Sequence, residues 1–93
     1  MEKSKIYQRI KEHLRLRGAS RVAIFGSYSR DQETKDSDID VLVRFRNPKS
    51  LIEIAGIERE LTARIRKKID LVTEKSVSPY MIKGIEKEMI VIE

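Results

Sequence analysis

The sequence predicts an α/β or α+β domain in which a few short strands are covered by helices. Short apolar runs at 21–25, 39–45 and 69–73 have the length and composition of strands. The stretches at 3–17 and 51–67 carry apolar residues at helical spacing, with Lys, Arg and Glu between them. Together with a last helix, the predicted elements follow the order αβ(α)βαβα along the chain. This alternation is typical of a sheet with helices packed on its faces.

The first helix is predicted over 3–17. Ile6, Ile10 and Leu14 recur every fourth residue and form its apolar face. Gly18 is a natural stop signal directly after it.

Two strands flank a polar loop in the next part of the chain. The run Arg21–Phe25 is almost entirely apolar, which is typical of a strand covered on both faces. Gly26-Ser27 ends this strand, and a brief helical turn is expected to follow. Residues 31–36 are polar and predict a loop. Ile39–Phe45 is a second strand, which Asn47-Pro48 breaks.

A long helix is predicted from Leu51 to about Lys67, because Ser50 and Glu53 have the spacing of a capping box. A third strand follows at 69–73. The expected buried stripe of this helix consists of apolar residues at helical spacing: Leu51, Ile54, Ala55, Leu61 and Ile65.

The last helix is predicted to begin at Ser78-Pro79, since proline suits a first helical turn. Residues 89–92 also fit a short final strand, and the pattern leaves both assignments open. Tyr80 is expected to pack against the domain. The apolar positions of this helix are Met81, Ile82, Ile85 and Met89.

The composition indicates one domain spanning 1–93 and a cytoplasmic location. The chain has no cysteine, which excludes disulfides and thiolate metal sites. No apolar run is long enough to span a membrane, and no signal-peptide region follows the N-terminus. The 20 basic and 15 acidic residues give a formal charge of +5, which attracts nucleotide triphosphates and acidic partners without demanding nucleic acid. A chain this short buries a limited fraction of its surface, so an oligomer or a hetero-complex is also open.

Two aspartates at the start of the second strand are the first sign of chemistry. Asp38 and Asp40 are two residues apart, and such residues point to the same face of a strand. Like charges side by side repel each other unless a cation lies between them. Mg²⁺ is the usual cation held by one or two carboxylates together with substrate phosphates.

Gly26 and Ser27 suit a phosphate beside that metal. Glycine lets the backbone approach a phosphate closely, and a serine hydroxyl donates to a phosphate oxygen. A metal site next to a phosphate site indicates nucleotidyl or phosphoryl transfer. The plainer alternative is a solvated hairpin whose acidic residues are merely exposed.

The spacing Gly26-Ser27, ten residues, then Asp38-x-Asp40 resembles the signature of the DNA-polymerase-β-like nucleotidyltransferase superfamily. The segments 69–72 and 78–80 extend the similarity to its minimal nucleotidyltransferase (MNT) group. The resemblance implies a small mixed sheet. Many MNT proteins are antitoxins encoded beside a HEPN-domain toxin.

The resemblance also implies the remaining site residues. Asp70 on the third strand would be the third carboxylate. A charge buried within an apolar strand is costly, and a bound metal ion would offset that cost. The alternative is an exposed acid that is paired with a neighbouring lysine. Two Mg²⁺ ions held by Asp38, Asp40 and Asp70 would then act on ATP. Arg30 stands where the family often has an arginine and would neutralise or position the triphosphate, and a solvated surface arginine is the alternative. The family often has Arg-Gly where this chain has Arg30-Asp31, so the resemblance does not define the conformation of this loop.

The implied reaction moves AMP from ATP to a tyrosine of a HEPN toxin and silences it. A small-molecule acceptor, as in aminoglycoside nucleotidyltransferases, usually requires a second domain. Two other classes stay open: an antitoxin that neutralises by binding alone, and a small nucleic-acid-binding module. Tyr28, inside the loop, is a further candidate for contact with the nucleotide, whereas His13 is expected to be a surface residue.

Overall fold

The computed structural model describes residues 2–93 and contains three helices and four strands. In chain order they are α1 (Lys3–Leu16), β1 (Ala19–Phe25), β2 (Ile39–Phe45), α2 (Leu51–Ile65), β3 (Ile69–Thr73), α3 (Pro79–Glu88) and β4 (Ile90–Val91). Short 3₁₀ turns at Gly26–Tyr28 and Glu74–Ser76 follow β1 and β3.

The strands form one mixed sheet in the order β3-β2-β1-β4. β1 is antiparallel to both β2 and β4, whereas β2 and β3 are parallel. The mixed α+β architecture confirms the predicted fold class. The register places Asp40 beside Phe25 on one side and beside Asp70 on the other.

The predicted elements all form, with small shifts at their ends. β1 begins two residues earlier than predicted, at Ala19, and α1 and α2 each end before the predicted residue. The helical turn after β1 is confirmed. After α3, the alternative of a short final strand is correct, since β4 pairs with Ala23 and Ile24.

The sheet separates a large apolar core from a smaller one. α1 and α2 pack on one face with Ile10, Leu14 and Leu61 fully buried. α3 covers the other face through Ile85, which packs with Ala23 and Leu42. Successive β1 residues contribute to both cores, which confirms that this strand is covered on both faces.

The buried stripe predicted for α2 is wrong at its first turn. Leu51 is 83% exposed and Ala55 is exposed, while Ile57, outside the expected stripe, is buried. The predicted capping box is present and fixes where the helix begins. The first turn borders an open cavity beside β2 and β3 instead of packing on the sheet.

Two tyrosines also differ from expectation. Tyr28 is only 3% exposed and belongs to the large core, so it does not offer its ring to a nucleotide. Tyr80 is 89% exposed and does not pack, because α3 meets the sheet further along, at Ile82 and Ile85. Met81, beside Tyr80, is exposed as well.

Within residues 2–93, no helix combines the length and the apolar character needed to cross a lipid bilayer.

Candidate functional site

The end of β1 and the beginning of β2 bring Gly26 and Asp40 into direct contact. Gly26 has a φ of 72°, a backbone conformation that side chains rarely adopt. A Cβ atom built on Gly26 would lie 2.1 Å from Oδ2 of Asp40. The Asp40 carboxylate therefore occupies the space that any side chain at position 26 would need.

Asp40 and Asp70 are neighbours across the parallel strands β2 and β3. Partial burial raises the pKa of Asp40 above its usual value, and the negative charges of Asp70 and Asp38 raise it further. Asp70 itself is exposed, so the expectation of a charge buried within a strand is wrong, and the exposure agrees with the alternative of an exposed acid. The reason is topological, because β3 is an edge strand of the sheet.

Asp38 lies beside a lysine. Its Oδ2 is 3.8 Å from Nζ of Lys68, in a partly exposed ion pair. Among residues 2–93, no three acidic or histidine side chains form a preassembled metal cluster. The structure thus brings Asp40 and Asp70 together and places Asp38 at their margin.

The Asp40–Asp70 pair fits Mg²⁺ by the chemistry of its donors. Mg²⁺ is usually held by one or two carboxylates and completes its shell with water and substrate phosphates. Burial raises the pKa of Asp40 most and repulsion by Asp70 and Asp38 raises it further, and a bound cation would relieve that repulsion. Gly26 adds no side chain on this side of Asp40.

Arg30 supplies the positive charge of the site. Its Nη1 donates to Oε1 of Glu88 at 2.8 Å, and its Nε donates to Oε1 of Gln32 at 3.3 Å. The guanidinium is close enough to Asp40 to lower that carboxyl's pKa, against the larger effects that raise it. The carbonyl of Ser27 accepts from the amides of Arg30 and Gln32, which closes the turn under the guanidinium.

The structure shows the conformation of the loop between β1 and β2, where Asp31 stands in place of the glycine that is common in the family. Asp31 has a φ of 55°, so it occupies a left-handed conformation that glycine adopts most easily. Lys3 of α1 forms ion pairs with Asp31 and with Glu33, the latter at 2.9 Å. Ser37 accepts a hydrogen bond from the Thr34 amide at 2.9 Å and so holds the loop.

Glu88 and Lys68 are the contacts that sequence reasoning missed. Glu88 lies 58 residues from Arg30 in the chain, and only the packing of α3 brings the two together. The sequence allows a neighbouring lysine as the partner of Asp70, but the structure places Lys68 beside Asp38 instead. No local pattern marks Glu88 as the partner of Arg30.

A family model described as nucleotidyltransferase domain matches residues 3–92. MJ0126 of Methanocaldococcus jannaschii, provisionally named a protein adenylyltransferase, is 42% identical over 76% of this chain and 74% of its own length. The protein adenylyltransferase MntA of Thermococcus cleftensis is 34% identical over 88% of this chain and 84% of its own length.

Solved structures show the same fold. A protein provisionally described as a minimal nucleotidyltransferase superposes with a TM-score of 0.82 at 30% identity, over 97% of this chain and 95% of that one. A toxin–antitoxin structure with AMP-PNP gives 0.86 at 22% identity, over 94% and 72% of the two chains. The complex of a tri-AMPylated Shewanella oneidensis HEPN toxin with its MNT antitoxin gives 0.82 at 20% identity, over 99% and 72%. At 20–22% identity the last two likenesses show a shared fold only.

Proposed function

This chain belongs to the nucleotidyltransferase domain family, and we propose that it transfers AMP from ATP to a tyrosine hydroxyl of a HEPN-domain toxin, which it thereby silences. The observation that carries the proposal is the Asp40 carboxylate, set against Gly26 and beside Asp70 at one end of the sheet. The relatives named as protein adenylyltransferases support the reaction type. The toxin–antitoxin complexes of the same fold, one of which contains a HEPN toxin, support the choice of partner.

Asp40 and Asp70 are the residues that would hold Mg²⁺, with Asp38 joining them once it leaves Lys68. Two ions are expected for the complete site. Bound there, Mg²⁺ supplies neutralisation of the triphosphate and a lower pKa for the attacking hydroxyl. Asp70, being exposed, is also available to receive the hydroxyl proton.

The remaining residues orient the nucleotide. Gly26 and Ser27 let the turn approach the phosphates closely, and Arg30 directs its remaining N–H groups toward the triphosphate. The acceptor oxygen attacks the α-phosphorus, the bond to pyrophosphate breaks, and the product is a phosphodiester between AMP and the hydroxyl. In-line geometry is what this positioning contributes to the rate. A cytoplasmic location, where ATP is available, suits the reaction.

The test uses labelled ATP, Mg²⁺ and the product of the gene adjacent to that of this chain, which the proposal requires to be a HEPN-domain protein. Intact-mass spectrometry should show AMP added to that protein, and fragmentation should place it on tyrosine. Asp40→Asn should abolish the addition. Asp36→Asn, which removes an exposed acid from the neighbouring loop, should retain it and serves as the matched control.

Two other outcomes would replace the proposal. A HEPN protein that is neutralised without modification, equally well by Asp40→Asn, would make the chain a binding-only antitoxin. Transfer to an aminoglycoside, with none to the protein, would make it a small-molecule enzyme.

A further inference from the structure

The open cavity beside β2 and β3 forms a groove at the end of the sheet opposite to Asp40 and Asp70. It has a volume of about 600 Å³ and is bordered by the C-terminal ends of β2 and β3 and the first turn of α2. β2 runs from Asp40 at one site to Phe45 at the other, five residues on. At the rise of a strand this separates the two sites by about 17 Å.

The floor of this groove is apolar. Val43, Phe45, Leu51 and Ile54 line it. Leu51 is 83% exposed, and Ile52 beside it is equally exposed. An exposed leucine in the lining of an apolar groove, followed in the chain by an exposed isoleucine, is typical of a surface that a partner covers.

The rim of the groove is basic. Arg46, Lys49 and Lys75 lie on it, and none of the three forms an ion pair within the part of the chain that the structure describes. Nζ of Lys49 is 5.3 Å from the centroid of the Phe45 ring, so charge and apolar surface adjoin. The only acidic residue of the rim, Glu74, is already paired with Arg44 at 2.6 Å.

This charge pattern decides between the candidate occupants. A second copy of the chain would bring one basic rim against another, within a molecule that already carries a formal charge of +5. Like charges brought together at an interface are repulsive. An apolar side chain flanked by carboxylates satisfies both the floor and the rim.

We propose that the groove docks an acidic segment, with an apolar side chain at its centre, of the protein that accepts AMP. This inference rests on the proposed function and adds the surface by which the acceptor is selected. Because docking occurs about 17 Å from Asp40, it sets which protein is modified without contacting the reacting atoms. The groove would also provide recognition of the acceptor, because the residues at the Asp40 end of the sheet are assigned to binding phosphate and metal.

The experiment uses the HEPN-domain protein that the proposed function requires, the product of the adjacent gene, and measures its binding by interferometry to wild type and to groove variants. Leu51→Asp should weaken binding at least tenfold, since it places a carboxylate at the apolar centre of the contact. Lys49→Glu should lower the association rate several-fold, with a difference that shrinks at high salt. The matched controls are Leu16→Asp, another exposed leucine at the end of α1, and Lys5→Glu, an exposed lysine on α1; both should bind as wild type does.

A second readout separates lost docking from lost folding or lost chemistry. All four variants should bind ATP with Mg²⁺ as wild type does and should melt cooperatively, because the nucleotide site lies at the other end of the sheet. When the acceptor concentration is varied at saturating ATP, Leu51→Asp should raise KM for the HEPN protein and leave kcat, the rate at saturating acceptor, unchanged.

Each alternative result overturns the inference in a distinguishable way. Unchanged binding by Leu51→Asp and Lys49→Glu would remove the groove from recognition and leave the proposed function intact. A wild-type dimer that Leu51→Asp dissociates in sedimentation analysis would make a second copy the occupant. Failure of wild type to bind the HEPN protein would refute the proposed acceptor, and the docking assignment with it.

Discussion

At the scale of single residues, the site depends on the absence of a side chain at position 26. Gly26 combines a left-handed backbone with a contact to the Asp40 carboxylate that no Cβ could share. Gly18 offers a natural comparison, because its φ of 91° is also left-handed but nothing lies within 4 Å of a Cβ built there.

We expect Gly26→Ala to abolish AMP transfer and Gly18→Ala to preserve it. Both changes place alanine at positive φ, which should cost about 1 kcal/mol of unfolding free energy in each variant, and Gly26→Ala should cost more because its Cβ also clashes with Asp40. Only Gly26→Ala also displaces Asp40. Urea denaturation and the transfer assay, run on both variants, check this. Equal transfer by the two would show that the Gly26 contact is not part of the site.

Asp40 illustrates the tension between function and stability. Its pKa is raised by burial and by two neighbouring carboxylates, so the ionised site is unfavourable without a cation. Functional sites commonly retain such strain at the expense of stability.

Asp40→Asn should therefore raise the melting temperature in metal-free buffer, by roughly 2–5 °C. The same variant should lose the dependence of ATP affinity on Mg²⁺ that we expect for wild type. Scanning calorimetry and isothermal titration with and without Mg²⁺ measure the two effects. Equal affinity of wild type for ATP with and without Mg²⁺ would contradict the metal site.

At the scale of elements, α2 protects the free edge of β3. β3 ends the sheet, and edge strands present unpaired amides on which other chains can aggregate. Oε2 of Glu58 accepts from the Leu71 amide at 2.8 Å, and Oγ1 of Thr62 accepts from the Ile69 amide at 3.1 Å. Side chains of the helix thus take the place of a fifth strand and keep the strand that carries Asp70 in position.

Glu58→Ala should destabilise the protein by about 1–3 kcal/mol, because it leaves the amide of buried Leu71 without an acceptor. Glu58→Gln keeps a carbonyl oxygen at the same reach and should cost less than 1 kcal/mol. Chemical denaturation gives both values, and light scattering reports whether the exposed edge promotes aggregation. A similar loss in both variants would mean that the charge of Glu58, and not its acceptor, stabilises β3.

At the scale of the whole molecule, the two faces of the sheet carry unequal shares of the core. The face under α1 and α2 contains most of the fully buried side chains, including Ile10. The face under α3 has three buried residues, of which Ile85 is 9% exposed.

Ile10→Ala should cost about 2–5 kcal/mol of unfolding free energy, because the cavity it leaves is fully enclosed. Ile85→Ala should cost about 2 kcal/mol or less, since partly buried neighbours can move into the space. Urea titration compares the two isoleucines directly. Equal losses would mean that α3 contributes as much to the core as α1 does.

Local patterns predict much of this fold because the determinants are near in sequence. The capping box of Ser50 and Glu53 places the start of α2, and Pro79 places the start of α3. The continuous apolar run of β1 indicates burial on both faces. The stripe of α2 fails at Leu51, because helical spacing defines a face without saying how far the sheet extends beneath it.

The site divides in the same way. Local spacing is enough to place Gly26 and Ser27 after the first strand and the Asp38/Asp40 pair at the start of the second, because a strand fixes which residues share a face. The assembled structure was needed to show that Asp70 lies beside Asp40, that Glu88 holds Arg30 and that Tyr28 is buried. Those outcomes depend on strand order and helix packing, which join residues far apart in the chain. The free energy of such contacts belongs to the assembled fold, and no short segment of the sequence carries it.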